Sequence, residues 1–306
     1  MRDITVSGIT FTAQPLDKRI VLLVNPVAGR GSALRRADAV QHALESLGTV
    51  ERHDTRAPGD EARIARAAAV ASATVLAVVG GDGSVSHAAR GLVECNSTLP
   101  LAIFTAGTGN DFAKSLGAPV HDAAAMVARI AQGTTRAVDV GFVDDVPFVN
   151  AAGFGFDVEV LERMRSPGLL RGTAAYVSTA LGALVGYRGF RAQLRDDAWR
   201  EQLMLVFANG RYFGGAFHIA PTAVLDDGLL DVVSIGNATP LRRLALFAKA
   251  LRGTHLSARE VVHDRVGRCR VSFDAPPAFE ADGELHCARG PEVEVSVRRA
   301  ALRVVV

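Results

Sequence analysis

The stretch TVLAVVGGDGSVSHAARGL, residues 74–92, decides the fold class of the first half of the chain. Its apolar run ends at a glycine turn, and small and apolar residues with helical spacing follow the turn. A continuous apolar run predicts a strand that is buried on both faces, with a helix directly after the turn. Because glycine N–H groups beside a helix N-terminus attract anions, the carboxylate of Asp82 within this turn needs an explanation.

The same order of strand, glycine turn and helix occurs twice more, in RIVLLVNPVAGRG (residues 19–31) and PLAIFTAGTGNDFAKSLG (residues 100–117). A short strand is predicted at residues 49–55, and further helices are predicted at residues 57–72 and 120–133. Strands that alternate with helices in this way are typical of a parallel α/β sheet.

The pattern changes near residue 134, and strands dominate the second half of the chain. The segments that we interpret as containing strands are residues 135–157, 190–215, 228–236, 265–284 and 293–306. Helical stretches are predicted in part of residues 161–187 and at residues 239–253. The sequence therefore predicts an α/β domain over residues 1–140, followed from residue 141 by an antiparallel β domain, a sandwich or a barrel.

Composition excludes several classes of protein. The 306 residues are 49% hydrophobic with a net charge of +2, which does not favour a nucleic-acid binder. The three cysteines, Cys95, Cys269 and Cys287, have no C-x-x-C spacing, so neither a disulfide framework nor structural zinc is expected. We find no signal peptide and no apolar stretch of about 18 residues, and we expect a cytoplasmic protein.

Three glycine turns, Gly29–Gly31, Gly81–Gly83 and Gly107–Gly109, end strands of the predicted sheet. In an open α/β sheet such turns meet at the carboxyl edge, where their N–H groups and the helix N-termini form a phosphate site. A tight turn would explain any one of them alone. None completes the dinucleotide fingerprint or a Walker A loop, and a hydrolase elbow is also absent.

The carboxylate of Asp82 has two explanations at this stage. Beside a polyphosphate it requires a cation, and Mg²⁺ held between phosphate oxygens and carboxylates is the usual arrangement. Alternatively, Asp82 only caps the helix that follows it.

The chain resembles the diacylglycerol kinase catalytic domain, whose superfamily also includes sphingosine and ceramide kinases and bacterial lipid kinases. Its three signatures are matched by VNPVAG (24–29), GGDGSV (80–85) and GTGNDFA (107–113). Four later motifs follow in the expected order: NAAGFGFD (150–157), ANGRYFGGAFHIAP (208–221), LDDGLLDV (225–232) and EADGE (280–284). The likeness extends from about residue 20 to the C-terminus. Departures occur after GGDG, where the family usually has Thr and then Asn-Glu and this chain has Ser84, Ser86 and His87.

The resemblance implies a three-layer α/β domain similar to that of NAD kinases and phosphofructokinases, and then a β-sandwich at residues 141–287. The active site is expected in the cleft between the two domains. The last strand, at about residues 288–306, is expected to return to the first domain.

The resemblance also implies roles for individual residues. ATP contacts are expected from Asn25, Pro26, Gly29, Thr55, Gly81, Asp82, Gly83, Ser84 and Thr108. Asp227 matches a magnesium-binding aspartate, with the backbone carbonyls of Val224 and Leu229 nearby. Glu284 matches the general base, and Asp82 is the second catalytic residue.

Several assignments stay open. Asp282 is the alternative base, and on a strand it would share a face with Glu284, although EADGE could also be a plain hairpin turn. Asp111 and Asp157 are candidate contacts to the acceptor, and Asp157 could equally be a turn residue or a helix cap. Asp226 is expected to be only a turn residue.

The expected activity is an ATP- and Mg²⁺-dependent transfer of phosphate to a lipid hydroxyl, most simply from diacylglycerol to phosphatidate. Alternatives are another lipid acceptor such as sphingosine or ceramide, a soluble acceptor as in NAD kinases, and a regulator without activity. We expect peripheral membrane contact, with the apolar helical stretch at residues 168–190 facing acyl chains, although an ordinary core helix would have the same pattern. A homodimer is a further expectation.

Overall fold

The computed structural model describes residues 3–6, 9–12, 18–164, 173–195 and 197–306. The first half contains strands and helices in alternation, as expected for an α/β domain. Its elements are β1 (Asp3–Val6), β2 (Ile9–Thr12), β3 (Lys18–Val24), α1 (Ala28–Glu45), β4 (Gly48–Asp54), α2 (Asp60–Val70), β5 (Val75–Gly80), α3 (Asp82–Glu94), β6 (Leu101–Thr105), α4 (Asp111–Leu116) and α5 (Ala123–Gln132).

The second half is mostly strands. Its elements are β7 (Thr135–Val143), β8 (Val146–Phe148), β9 (Ala151–Gly155), α6 (Phe156–Met164), α7 (Thr173–Gly186), β10 (Phe190–Leu194), β11 (Arg200–Ala208), β12 (Leu230–Gly236), α8 (Pro240–Leu251), a 3₁₀ helix (His255–Ser257), β13 (Val261–Val266), β14 (Arg268–Phe273), β15 (Ala278–Ala281), β16 (Glu284–Cys287) and β17 (Glu292–Val305). Residues 168–172 of the apolar stretch lie outside the described residues, and α7 begins at Thr173.

The α/β domain is built on four parallel strands in the order β6-β5-β3-β4. Every residue of β5 is buried, which is expected of a strand that is covered by helices on both faces. Helix α2 contacts α3, and α1 contacts α5. The core of this domain extends from Ile20 through the buried faces of these helices.

The second domain is an antiparallel β-sandwich with α6, α7 and α8 packed on it. Two apolar clusters fill it, one beneath the helices and one that contains Phe154, Phe207 and Phe279. Within the described residues the strands join a mixed sheet and form no closed barrel, so of the two architectures expected from the sequence the sandwich is the one observed.

The two domains are joined through β17, which pairs with β14 of the sandwich, with β7, and at Val304 with Leu101 of β6. A bulge at residues 298–302 interrupts its pairing with β7. The buried carboxylate of Asp139 holds this bulge, because it accepts the N–H groups of Ala300 at 2.7 Å and of Gly228 at 2.6 Å. No helix among the described residues is long and apolar enough to span a bilayer.

Candidate active site

The three glycine turns lie together at the carboxyl edge of the parallel strands. A Cβ atom on Gly107 would be 2.7 Å from the Cα atom of Gly81, and a Cβ on Gly29 would collide with the carbonyl oxygen of Ala106. The turns approach this closely only because glycine has no side chain. The three turns therefore meet at this edge, as expected from the sequence, and their binding of phosphate stays a prediction.

A cleft of about 370 Å³ runs between the two domains beside these turns. The α/β domain contributes Asp82, Gly83, Ser86, Gly107, Thr108, Gly109, Asp111 and Phe112. The β domain contributes residues 149–151, which lead into β9, and the α6 residues Leu161 and Met164. It also contributes the loop Phe213–Gly215, and Glu280, Asp282 and Gly283. One side of the cleft is thus rich in backbone N–H groups, and the other side carries apolar side chains and carboxyl groups.

The carboxylate of Asp82 binds the beginning of helix α4. Its oxygens accept the N–H groups of Asn110 at 2.6 Å and of Asp111 at 2.7 Å. Asp82 therefore caps a helix, which agrees with one of the two explanations given above. The capped helix is α4, however, and not α3, which directly follows Asp82 in the sequence. The helix N-terminus supplies positive partial charge, so the carboxylate is stable inside the glycine turn.

Asp111 ties the third glycine turn to the β domain across the cleft. Its carboxylate accepts the N–H of Gly215 at 2.7 Å, and the ammonium of Lys114 donates to the carbonyl oxygen of Gly215 at 2.9 Å. Burial, together with the charge of Asp82, raises the pKa of Asp111. Asp111 thus fixes the position of the Phe213–Gly215 loop at the cleft wall.

The EADGE segment forms a tight hairpin between β15 and β16, with Ala281 opposite Glu284. Asp282 and Gly283 make the two-residue turn with φ angles of 50° and 87°. The expectation that Asp282 and Glu284 share one strand face is therefore wrong, because Asp282 lies in the turn. Its half-buried carboxylate accepts the hydroxyl of Ser86 at 2.6 Å and also three backbone N–H groups, those of Val149, Asn150 and Ala151.

Glu284 lies at the rim of the cleft, in a neighbouring hollow that shares Leu161, Met164 and Gly283 with it. Its Oε1 atom is 2.6 Å from Nε2 of His87, and its Oε2 atom is 3.6 Å from the Arg90 guanidinium. The hydrogen bond to His87 lowers the pKa of Glu284, so this carboxylate is ionised at neutral pH. The side chain remains 41% exposed and can be reached by a bound acceptor.

The first glycine turn is linked to the second through side chains. The amide nitrogen of Asn25 donates to the hydroxyl of Ser84 at 2.9 Å and to the buried carboxylate of Glu61 at 3.2 Å. Pro26 and Gly29 follow in the same turn. Thr55 follows β4, where its N–H bonds to Val24, and it is not among the residues that line the cleft.

Two buried carboxyl groups, Asp157 and Glu280, lie side by side, and Glu280 is the one that lines the cleft. A Cβ on Gly153 would collide with Asp157 and lie 3.4 Å from Oε1 of Glu280, so the glycine makes room for both. Among the described residues, both Asp157 oxygens and Oε1 of Glu280 have no hydrogen-bond partner. Burial raises the pKa of Asp157 to about 7, and burial together with the Asp157 charge raises the pKa of Glu280 well above its ordinary value.

We expect Asp157→Asn to gain stability relative to the wild type as pH rises from about 4 to about 7. The unfolded wild-type chain releases the Asp157 proton near pH 4, but the folded chain keeps it up to about pH 7. The free energy of unfolding of the wild type therefore falls as pH rises between these values. The variant has no carboxyl group at position 157, so its free energy of unfolding does not fall for this reason. Urea unfolding at pH 4, 6 and 8 measures the difference, and a constant difference would contradict the raised pKa.

The predicted metal position does not lie in the cleft. The Asp227 carboxylate is paired with the Arg265 guanidinium and accepts the N–H of Leu229 at 3.0 Å. Among the described residues, no group of three or more acidic, histidine or cysteine side chains could hold a metal ion. The loop fits a divalent cation poorly in this arrangement, because a cation already neutralises its carboxylate. The assignment of Asp227, with Val224 and Leu229, to magnesium stays a prediction.

Sequence reasoning missed the partners of the motif residues. It singled out Ser86 and His87 only as departures from a family pattern, whereas both contact the EADGE hairpin. It gave no role to Glu61 or Glu280. Both residues were visible in the sequence, Glu61 in the first turn of α2 and Glu280 at the start of the EADGE motif. Their partners could not be identified because they are distant in sequence.

The fold and the cleft define a class of two-domain proteins in which an α/β domain with glycine turns faces a β-sandwich. The diacylglycerol kinase catalytic domain matches residues 19–143, and the YegS C-terminal NAD kinase beta sandwich-like domain matches residues 150–306. The chain belongs to this diacylglycerol and lipid kinase family.

Relatives of similar length agree with this assignment. The chain is 31% identical over 296 residues to a Mycobacterium tuberculosis protein named "Diacylglycerol kinase", with 94% of each chain covered. It is 33% identical to a Pseudomonas aeruginosa protein named "Probable lipid kinase YegS-like", with 94% of this chain and 95% of the relative covered. A solved structure of a Bacillus anthracis diacylglycerol kinase shares the fold with a TM-score of 0.73 at 20% identity, covering 94% of this chain and 96% of that one.

Proposed function

We propose that this protein transfers the γ-phosphate of ATP to the hydroxyl group of diacylglycerol and so produces phosphatidate. The observation that carries the proposal is the cleft, in which the second and third glycine turns face Leu161, Met164 and Phe213 across the interdomain space. Backbone N–H groups suit phosphates, and apolar side chains suit the part of a lipid next to its head group.

On the nucleotide side, we assign the phosphates to the first and second glycine turns, together with Thr108. Asn25 and Ser84 orient these turns through their mutual hydrogen bond. Magnesium would neutralise phosphate charge when it enters with ATP. Asp82 acts in this scheme by holding the N-terminus of α4 beside the phosphates.

On the acceptor side, Glu284 takes the proton of the attacking hydroxyl. The bond between the γ-phosphorus and the ADP oxygen breaks as a bond to the acceptor oxygen forms, and the proton passes to the carboxylate. Glu280 is suited to hydrogen-bond the polar head of the acceptor, since it lines the cleft and its Oε1 atom has no partner among the described residues. Asp157 is fully buried behind Glu280, so its contact with the acceptor stays a prediction. Asp111 supports the cleft wall beside them.

An acceptor screen tests the proposal. The full-length protein is incubated with ATP and Mg²⁺ and, in separate reactions, with diacylglycerol, sphingosine, ceramide and NAD, and products are identified by mass spectrometry. Phosphatidate as the main product supports the proposal. A phosphorylated sphingoid base or ceramide would reassign the lipid, NADP would place the protein with soluble-acceptor kinases, and ATP binding without any product would favour a regulator.

Peripheral membrane contact is part of the proposal, and helix α8 is suited to it. Leu241, Leu244 and Leu251 are 78%, 39% and 36% exposed at helical spacing. The helix carries Arg242 and Lys249 outside its buried face and has no acidic residue, a composition that favours an anionic lipid surface. Arg243 is buried and bonds to the carbonyl oxygens of Leu184 and Tyr187.

We therefore expect Leu241→Ser with Leu244→Ser to lower activity on diacylglycerol in vesicles of phosphatidylcholine and phosphatidylglycerol by about 100-fold or more, since each exposed leucine contributes roughly 1.5–3 kcal/mol when buried. Activity on acceptor in detergent micelles should stay unchanged. Val70→Ser is the matched control, because Val70 is 84% exposed on the other domain. Equal loss in vesicles and micelles would contradict contact through α8.

A further inference from the structure

The imidazole of His87 lies between two carboxylates, one facing each ring nitrogen. Its Nε2 atom is 2.6 Å from Oε1 of Glu284, and its Nδ1 atom is 3.9 Å from Oε2 of Glu61. Glu284 belongs to the β domain, and Glu61 belongs to helix α2 of the α/β domain. His87 therefore links the proposed base to the other side of the interdomain cleft.

Glu61 is itself held firmly. Its side chain is buried and accepts a hydrogen bond from the Asn25 amide at 3.2 Å. Helices α2 and α3 approach closely here, since a Cβ on Gly91 would lie only 2.5 Å from the carbonyl oxygen of Ala62. This close approach brings the first turn of α2 to His87 on α3.

The two carboxylates next to the ring favour its protonated form, and burial opposes it. Glu61 faces it from α2 and Glu284 from β16, while Arg90 of α3 and His286 of β16 face the far side of Glu284. The hydrogen bond to Glu284 and then the ion-pair contact with Glu61 raise the pKa of His87 to about 9. At neutral pH the ring is therefore an imidazolium between two carboxylates.

We propose that His87, braced by Glu61, is a positioning residue that fixes the carboxylate of Glu284 at the rim of the cleft and keeps it ionised. This inference rests on the proposed function. His87 does not touch the acceptor in this scheme, and it acts only through Glu284. Arg90 lies 1 Å farther from Glu284, at 3.6 Å against 2.6 Å, and is the weaker partner.

The first test uses kinetics with diacylglycerol and ATP between pH 5 and pH 10. His87→Ala should lower kcat by about 10- to 100-fold and leave KM for ATP unchanged, because a misplaced base slows only the chemical step. The acid limb of kcat/KM should move to higher pH, since Glu284 loses the cation that keeps it ionised. His87→Gln, which keeps a donor in place of Nε2 but no charge, should recover part of kcat.

The sign of the pH effect follows from the ring. His87 carries its charge below about pH 9 and loses it as pH rises through that value. Wild-type kcat should therefore decline above about pH 9 by this route, and the His87→Gln profile should lack that decline. Glu61→Gln should move the acid limb of kcat/KM to higher pH, as His87→Ala does. The effects of the two substitutions on this limb should be less than additive when they are combined.

The matched control is His263→Gln. His263 is paired with Asp231 at 2.7 Å and has the same 24% side-chain exposure as His87, but it lies outside the cleft. This variant should keep the wild-type kcat and acid limb. If replacing a half-buried histidine simply lowers stability, both the His87 and the His263 variants should be affected. A shifted pH profile is expected only for the His87 variants.

A second test needs no turnover. The imidazole of His87 should titrate near pH 9 in NMR spectra of the whole protein, and near the ordinary value in Glu284→Gln. A wild-type His87 that titrates near pH 6.5, or an active His87→Ala enzyme with an unchanged pH profile, would overturn the positioning role. Absence of product from the wild type would instead refute the proposed function, while the titration would still decide whether His87 holds Glu284.

Discussion

Glu284→Gln is expected to lower kcat for lipid phosphorylation by about 100- to 10,000-fold, the contribution usual for a positioned base. Glutamine keeps the shape of the side chain and its contact with His87, but it cannot accept the proton of the acceptor hydroxyl. KM for ATP should change little, because Glu284 lies at the rim and on the β-domain side of the cleft. The measurement is kcat and KM with diacylglycerol and ATP at pH 7.5.

The stability of this variant is checked by thermal unfolding. Glu284 is 41% exposed, so its loss from the surface network should cost little stability. Glu292→Gln is the control, since Glu292 is an exposed carboxylate at the start of β17. A fully active Glu284→Gln protein would remove Glu284 as the base. Asp282 is then a poor substitute, because four donors already occupy its carboxylate.

Asp82→Ala is expected to remove measurable transfer and also to lower stability. The wild-type carboxylate satisfies the N–H groups of Asn110 and Asp111, and the variant leaves both without this partner at the start of α4. Hydrogen bonds to a charged group contribute about 1.5–3 kcal/mol, so the free energy of unfolding should fall by an amount of this order. Activity should fall by more than 100-fold, because the displaced turn no longer presents its N–H groups to phosphate.

The control for Asp82 is another helix cap. Asp122 accepts the N–H of Ala125 at the start of α5, at an exposed position outside the cleft. Asp122→Ala should lower the free energy of unfolding by about 0.5–2 kcal/mol with unchanged kcat. Assays run well below both melting temperatures separate the two effects. An Asp82→Ala protein with normal kcat would show that the carboxylate serves only the fold.

The local structure of the α/β domain could be predicted because its causes are local. The apolar runs before Asn25, Gly81 and Ala106 are strands whose residues are nearly all buried, and each ends at a glycine turn. The hairpin at EADGE was one of the alternatives that the sequence left open, and its turn residues adopt positive φ angles. Turn chemistry and hydrophobic periodicity depend on neighbours within a few residues, so a sequence displays them directly.

The roles of individual carboxylates could not be predicted in the same way. Asp82 caps a helix whose first residue lies 29 positions further along the chain, and His87 meets Glu284 across 197 positions. The pair Asp157 and Glu280 depends on a glycine at position 153 that leaves room for both. No local pattern encodes such meetings, because they depend on how β15, β9 and α3 pack after the domains form.

The sequence by itself determined the two-domain order, the three glycine turns and the family to which the chain belongs, since these follow from local patterns and matched motifs. Only the tertiary structure decided what neutralises each buried or clustered charge. It assigned the helix N-terminus of α4 to Asp82, the guanidinium of Arg265 to Asp227 and the imidazole of His87 to Glu284. The reason is physical: a carboxylate away from bulk water requires a specific partner, and the fold supplies that partner from distant parts of the chain.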